Sequence, residues 1–185
     1  AGPAGNQKSP AYEAKASYAF AADAVTGKVW GEVKGQKVYG IGGTDGASDT
    51  SVVYGVGATV AAQGFGLTGY YYSGEGAGTT AFLMDGYAAD GKSRNSDGGY
   101  VQATYTIPGV GTKIGAAYGI SNLDLAAGES NDTLVKENER WTVGAYHPLT
   151  KSVNLVAEYN RINAKNQANE ENHDNVFSAG AILFF

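Results

Sequence analysis

Nine stretches of this chain alternate apolar with polar or very small side chains at a period of two, and none of them repeats at the period of a helix. Successive side chains of an extended backbone point to opposite faces, so such alternation predicts β-strands with one apolar and one wet face. The predicted strands cover residues 11–20, 28–38, 51–61, 65–72, 100–107, 112–121, 140–148, 152–162 and 177–185. The clearest is 100–107, where Val101, Ala103, Tyr105 and Ile107 oppose Gln102, Thr104 and Thr106. Residues 11–20 set Tyr12, Ala14, Ala16, Tyr18 and Phe20 against Glu13, Lys15 and Ser17. Residues 28–38 are less regular, with Val29 and Val33 opposed to Lys28, Trp30, Glu32, Lys34 and Gln36. A soluble β-domain with ordinary aromatic core residues would account for the alternation. It would not account for the second row, which is largely Gly, Ala, Thr and Gln with scattered charges, or for apolar rows that end in rings. Tyr12, Phe20, Tyr71, Tyr105, Trp141, Tyr159 and Phe185 sit where an aromatic girdle would meet a lipid interface.

The last stretch carries the pattern to the carboxyl terminus. Counting back by twos gives Phe185, Leu183, Ala181, Ala179 and Phe177, an apolar row long enough, if tilted, to cross a hydrocarbon layer. The mean hydropathy is −0.25, and no apolar run approaches the roughly 20 residues of a membrane helix. A barrel in lipid escapes that test, because lipid-facing and lumen-facing residues alternate and their average cancels. The chain has no Cys, which excludes a disulfide framework or a thiolate metal site. Its net charge of −5 argues against a nucleic-acid partner. Ala1 to Asn6 lack the basic and apolar regions of a signal peptide, so either one has been removed or the chain does not begin at its natural start.

The predicted connections span 21–27, 42–50, 62–64, 73–99, 108–111, 122–139, 149–151 and 163–175. Short and long ones alternate, which expects short turns at one end of a sheet and long loops at the other, as in barrels of bacterial outer membranes. The whole chain, 1–185, is read as one barrel domain, with 1–10 loop-like and 11–185 built of strands. If the last strand runs down to the periplasm, the alternation makes the first run downward too and leaves 1–9 outside. A complete bacterial barrel has an even number of strands. The expectation is therefore that the remainder of the barrel lies before Ala1, on a segment cleaved, absent or belonging to another chain.

Several segments in order, Gly69-Tyr70-Tyr71-Tyr72-Ser73-Gly74, Gly78-Thr79-Thr80, Tyr100 to Tyr105, Gly119-Ile120-Ser121-Asn122-Leu123-Asp124, Trp141 to Tyr146, Leu155 to Tyr159 and Leu183-Phe184-Phe185, resemble the C-terminal part of a Gram-negative general porin. What the resemblance implies is an all-β fold, a transmembrane antiparallel up-and-down β-barrel of about 16 strands of which nine are present. It further implies an outer-membrane location, a homotrimer in contact with lipid and lipopolysaccharide, and passive diffusion of small hydrophilic solutes and ions. In that family the terminal strand is read by the barrel-assembly machinery, which would give Phe177, Leu183 and Phe185 the role of an assembly signal. A constriction loop typical of the family would fall in the absent part.

Parity assigns Glu13, Lys15, Lys28, Glu32, Lys34, Lys113 and Glu158 to the lumen row, and these are the expected pore-lining residues. A Lys or Arg facing lipid at mid-membrane costs about 2–4 kcal/mol, whereas in a wet lumen it costs little. No catalytic or cofactor chemistry is expected. His147 and His173 lack neighbours at metal-ligand spacing. Asp90 to Asp97 resembles a calcium loop, but Lys92 and Arg94 stand where oxygen ligands are needed. Gly74, Gly76 and Gly78 precede no helix and read as turn glycines rather than a phosphate loop. Asn131-Asp132-Thr133 fits a glycosylation sequon of the sort chance supplies. An apolar tetrad, Ala81 to Met84, interrupts the longest loop and is expected to be buried, by packing on the barrel rim or else by folding over the lumen or meeting a neighbouring subunit. The alternative function is a small outer-membrane barrel serving as anchor or adhesin, whose interior would be filled by bulky or paired side chains.

Overall fold

The computed structural model describes residues 9–43, 47–79 and 84–185. They form nine strands in one antiparallel sheet whose spatial order is the chain order: β1 (Tyr12–Ala22), β2 (Val25–Tyr39), β3 (Ser48–Ala62), β4 (Phe65–Glu75), β5 (Asn95–Thr106), β6 (Lys113–Leu123), β7 (Val135–Pro148), β8 (Val153–Asn166) and β9 (Glu171–Leu183). A single 3-10 turn, Ile41–Gly43, is the one helical element among the described residues. Every strand pairs with its sequence neighbours, and β1 and β9 are left as edges, so the nine strands do not close on themselves.

Register carries the alternation from strand to strand without a slip through the body of the sheet. Val33 faces Tyr54, Val56 faces Tyr71, Val101 faces Tyr118, and Val143 faces Tyr159, which puts the apolar rows of all nine strands on one side. That side is bare: Tyr18 is 69% exposed, Tyr54 63% and Phe177 73%. Glycines on one strand make room for rings on the next. A Cβ on Gly27 would overlap the Phe20 ring, and one on Gly35 would overlap Tyr12. Trp141 and Tyr118 pair on the same side with ring centroids 4.6 Å apart. A two-residue turn carrying Gln63 and Gly64, both with positive φ, joins β3 to β4 in the geometry that matches strand twist.

At the other end of the sheet the connections depart from expectation in one respect. The connections from β2 to β3, from β4 to β5 and from β6 to β7 are long, but β8 and β9 extend into the predicted 163–175 loop and meet in the turn 167–170. The polar sequence there forms cross-strand pairs rather than a loop: Asn163 opposes His173, Lys165 opposes Glu171, and Lys165 Nζ lies 3.0 Å from the Glu171 carboxylate. Polar residues at strand ends beyond the apolar band are as compatible with pairing as with looping, so polarity alone placed the boundary too early. The first turn is likewise tighter than predicted, since β1 and β2 extend to Ala22 and Val25.

The buried apolar side chains of the described residues are at this loop end, not in the wall. Val38, Ile41, Ala77, Ala88, Leu123, Ala126 and Leu134 form that core, with Leu123 1% exposed. Arg94, 4% exposed, ties two loops together: its Nε donates to Glu129 at 2.8 Å, and its Nη1 donates to the Asp85 carbonyl at 2.7 Å. Lys92 Nζ donates to the Ala127 carbonyl, and Gln167 donates to the carbonyls of Leu123 and Leu134. These bonds tie the connection after β4, the connection after β6 and the 167–170 turn into one cap. Arg94 and Lys92 are therefore structural ties in the segment that resembled a calcium loop. Of the apolar tetrad, Ala81 to Leu83 lie outside the described residues, and Met84 is 59% exposed.

Candidate functional site

The second side of the sheet gathers the polar rows. Cross-strand register sets Glu13 opposite Lys34, Lys15 opposite Glu32, and Ala19 opposite Lys28, and it sets Thr106 opposite Lys113 and Gly144 opposite Glu158. All seven residues expected to line a lumen therefore lie on one face, opposite the apolar one. That face is concave. Thr59 on β3 and Asn154 on β8 border a common cavity of about 690 Å³, together with Thr68, Gln102, Lys113 and Tyr146. A flat sheet could not bring strands so far apart to one space, so the wall curls toward its polar side.

Several polar groups on this face hold one another. Lys15 Nζ donates to Glu32 at 2.8 Å, and the Tyr70 hydroxyl donates to the other oxygen of the same carboxylate at 2.7 Å. The Tyr146 hydroxyl donates to Glu158. Arg140 sends Nε and Nη2 to Asn160 Oδ1, at 3.0 and 2.7 Å, and Thr142 donates to the same oxygen. Arg140 was missed by the sequence reading, which took it as the first residue of its strand. β7 begins at Val135, which brings Arg140 fully onto the inner row opposite Gly119.

Rings were missed as well. Trp30, Tyr70, Tyr72 and Tyr100 have inward parity, and the ladder Trp30, Gly57, Tyr70, Tyr100, Gly119, Arg140 runs along one line of register. Trp30 and Tyr70 stack with centroids 6.4 Å apart, and Tyr70 meets Tyr100 at 5.9 Å. The signal available in sequence was the partner row: rings of one strand fall opposite glycines of the next, Trp30 opposite Gly57 and Tyr100 opposite Gly119.

The long loop 76–94 also reaches this face. The Ser121 hydroxyl, on the inner row of β6, donates to the Thr79 carbonyl at 3.2 Å and is bonded to the Tyr72 hydroxyl. Ala77, Gly78 and Thr79 border a cavity of about 360 Å³ with Glu13, Glu32 and Lys34. Among the described residues no group of three His, Asp or Glu side chains is arranged to hold a metal ion. Of the residues expected to act as an assembly signal, Phe177 and Leu183 stand on the outer row of the edge strand β9, and Phe185 lies just beyond its end.

An antiparallel up-and-down sheet with a bare apolar convex face and a polar concave face has the architecture of a β-barrel wall, left open here at β1 and β9. No protein-family profile and no curated protein sequence matches the chain. Among solved structures it is similar to the outer membrane channel DcaP of Acinetobacter baumannii, with a TM-score of 0.76 at 17% identity over 97% of this chain. The chain spans about half of that protein, 53% of its length. At that identity the likeness is one of fold.

Proposed function

We propose that this chain is part of the wall of a water-filled channel in a Gram-negative outer membrane, passing small hydrophilic solutes and ions by passive diffusion. The observation that carries the reading is the concave face, which holds Glu13, Lys15, Lys28, Glu32, Lys34, Lys113 and Glu158 on one side of the sheet, with Glu13, Glu32, Lys34 and Lys113 bordering open cavities. Charges so placed set the potential felt by a passing ion. An anchor or adhesin would fill the same space with side chains. The unpaired edges of β1 and β9 cannot face hydrocarbon, since each unsatisfied backbone group there costs several kcal/mol. In this reading they are joined by further strands of the same barrel. The outer face meets lipid and lipopolysaccharide, barrels associate as homotrimers, and the assembly machinery reads Phe177, Leu183 and Phe185. The test is conductance of the protein reconstituted in a planar bilayer. Discrete, ohmic current steps are expected, and Lys34→Glu together with Lys15→Glu should shift the reversal potential in a salt gradient toward cation preference. A protein that inserts and passes no current would overturn the reading.

A further inference from the structure

Rings on a water-facing wall call for an explanation, because an indole or phenol face left in water forgoes the burial that normally favours it. On this wall the rings are not propped upright. A Cβ on Gly57 would overlap the Trp30 indole, and one on Gly55 would overlap the hydroxyl end of Tyr70. The rings therefore lie down over glycine backbone, and the faces turned away from the sheet look into the lumen. The planes of Trp30 and Tyr70 are within 15° of parallel, and Tyr100 continues the line at 34° to Tyr70. The result is a continuous aromatic strip across β2, β3, β4 and β5.

The rows on either side of the strip are built differently from it. One holds Lys15, Glu32 and Tyr72, and the other holds Lys28, Thr59, Thr68 and Gln102. Donors and acceptors thus flank both margins. Thr59 and Thr68 share a hydrogen bond at 2.9 Å, and Glu32 accepts from both Lys15 and Tyr70. Lys15 Nζ also stands 5.5 Å from the Trp30 ring centroid, so its Glu32 contact gives it an alternative partner when the indole is covered.

We propose that this strip is a binding track for sugars. A pyranose has apolar C–H faces and an equator of hydroxyls. Its faces can lie on the rings, and its hydroxyls need donors and acceptors together along the edges. A planar aromatic anion would fit the rings and meet Lys28, but it would leave the Thr59, Thr68 and Gln102 donors and acceptors of that margin unused. An aliphatic solute would leave the polar margins unanswered. The track rests on the channel reading for its access from water, and it adds a preferred solute class to that reading.

Two measurements separate the two claims. Trp30 and Trp141 are the only tryptophans of the chain, and Trp141 is on the outer face, so Trp141→Phe leaves Trp30 as a reporter on the track. In detergent, maltotriose should change the Trp30 emission saturably, and benzoate should not. In a bilayer, maltotriose should interrupt the ion current. Tyr100→Ala should weaken both effects about tenfold, an order consistent with loss of one aromatic contact, while Tyr100→Phe retains them. A response to benzoate in place of maltotriose, or no response to maltotriose in a conducting protein, overturns the track and leaves the channel standing. A saturable Trp30 response in a protein that conducts nothing leaves the track standing and overturns the channel.

Discussion

Arg94 keeps a full charge at 4% exposure because Glu129 and the Asp85 carbonyl take up its donors. Removing one partner of such a pair leaves an uncompensated buried charge, at a cost of about 3–5 kcal/mol. Glu129→Gln is therefore expected to loosen the loop cap without touching the wall, read as faster amide exchange at Gly76 and Ala126 with β4 and β5 amides unchanged. The pair also has a pH dependence. The Arg94 guanidinium, and after it the Ala126 N–H, hold the Glu129 carboxyl below its ordinary value of 4.5 against the opposing effect of burial. A carboxylate with a lowered folded-state pKa contributes stability that is complete above the ordinary value and is lost as pH falls through the lowered one. Cap amides, corrected for intrinsic exchange, should hold constant protection from neutral pH down to about 4.5 and lose it below, and Glu129→Gln should abolish that dependence. In sequence Arg94 was visible only as a residue ill suited to a calcium loop. Its partner is 35 residues away, and no local pattern links two loops.

Strands were the most legible elements, because burial on one face and water on the other write a period of two into the residues themselves. The inner and outer rows follow from the same parity, and this has a direct consequence. Cysteines placed at Glu13, Lys15, Lys34, Lys113 and Glu158 are expected to react with a membrane-impermeant thiol reagent in lipid-reconstituted protein. Cysteines at Ala14, Val101, Ile114 and Leu155 should be spared, and a reversed pattern in any strand would place its register off by one. Strand ends were less legible than strand centres. Past the apolar band both faces are wet, so 163–175 offers no alternation to distinguish a loop from the paired ends of β8 and β9. The track of Trp30, Tyr70 and Tyr100 was hidden for a different reason. Rings on an inward row look like isolated exceptions in one strand, and become a strip only when register sets them beside Gly57 and Gly119.

For the whole molecule, the distribution of burial is the informative quantity. The described residues bury their core at the loop cap and leave the convex wall open, with Tyr18, Tyr54 and Phe177 largely exposed. A contiguous apolar face of that extent is incompatible with a monodisperse monomer in plain buffer. Size-exclusion chromatography is expected to show a single species in detergent and aggregation when the detergent is removed. The neighbour-to-neighbour order of the sheet bears also on how such a wall is made. Each hairpin closes a stretch of backbone only as long as its own turn or loop, and the entropy lost in closure grows slowly with length. Eight such closures can therefore zip in succession, each templated by the strand before it. Whichever strands complete the edges of β1 and β9, the pairing that closes a barrel joins strands far apart in sequence and has no local template. A seam of that kind must wait for distant parts of the polypeptide to meet, and such non-local pairing is the slow step in the folding of β structure.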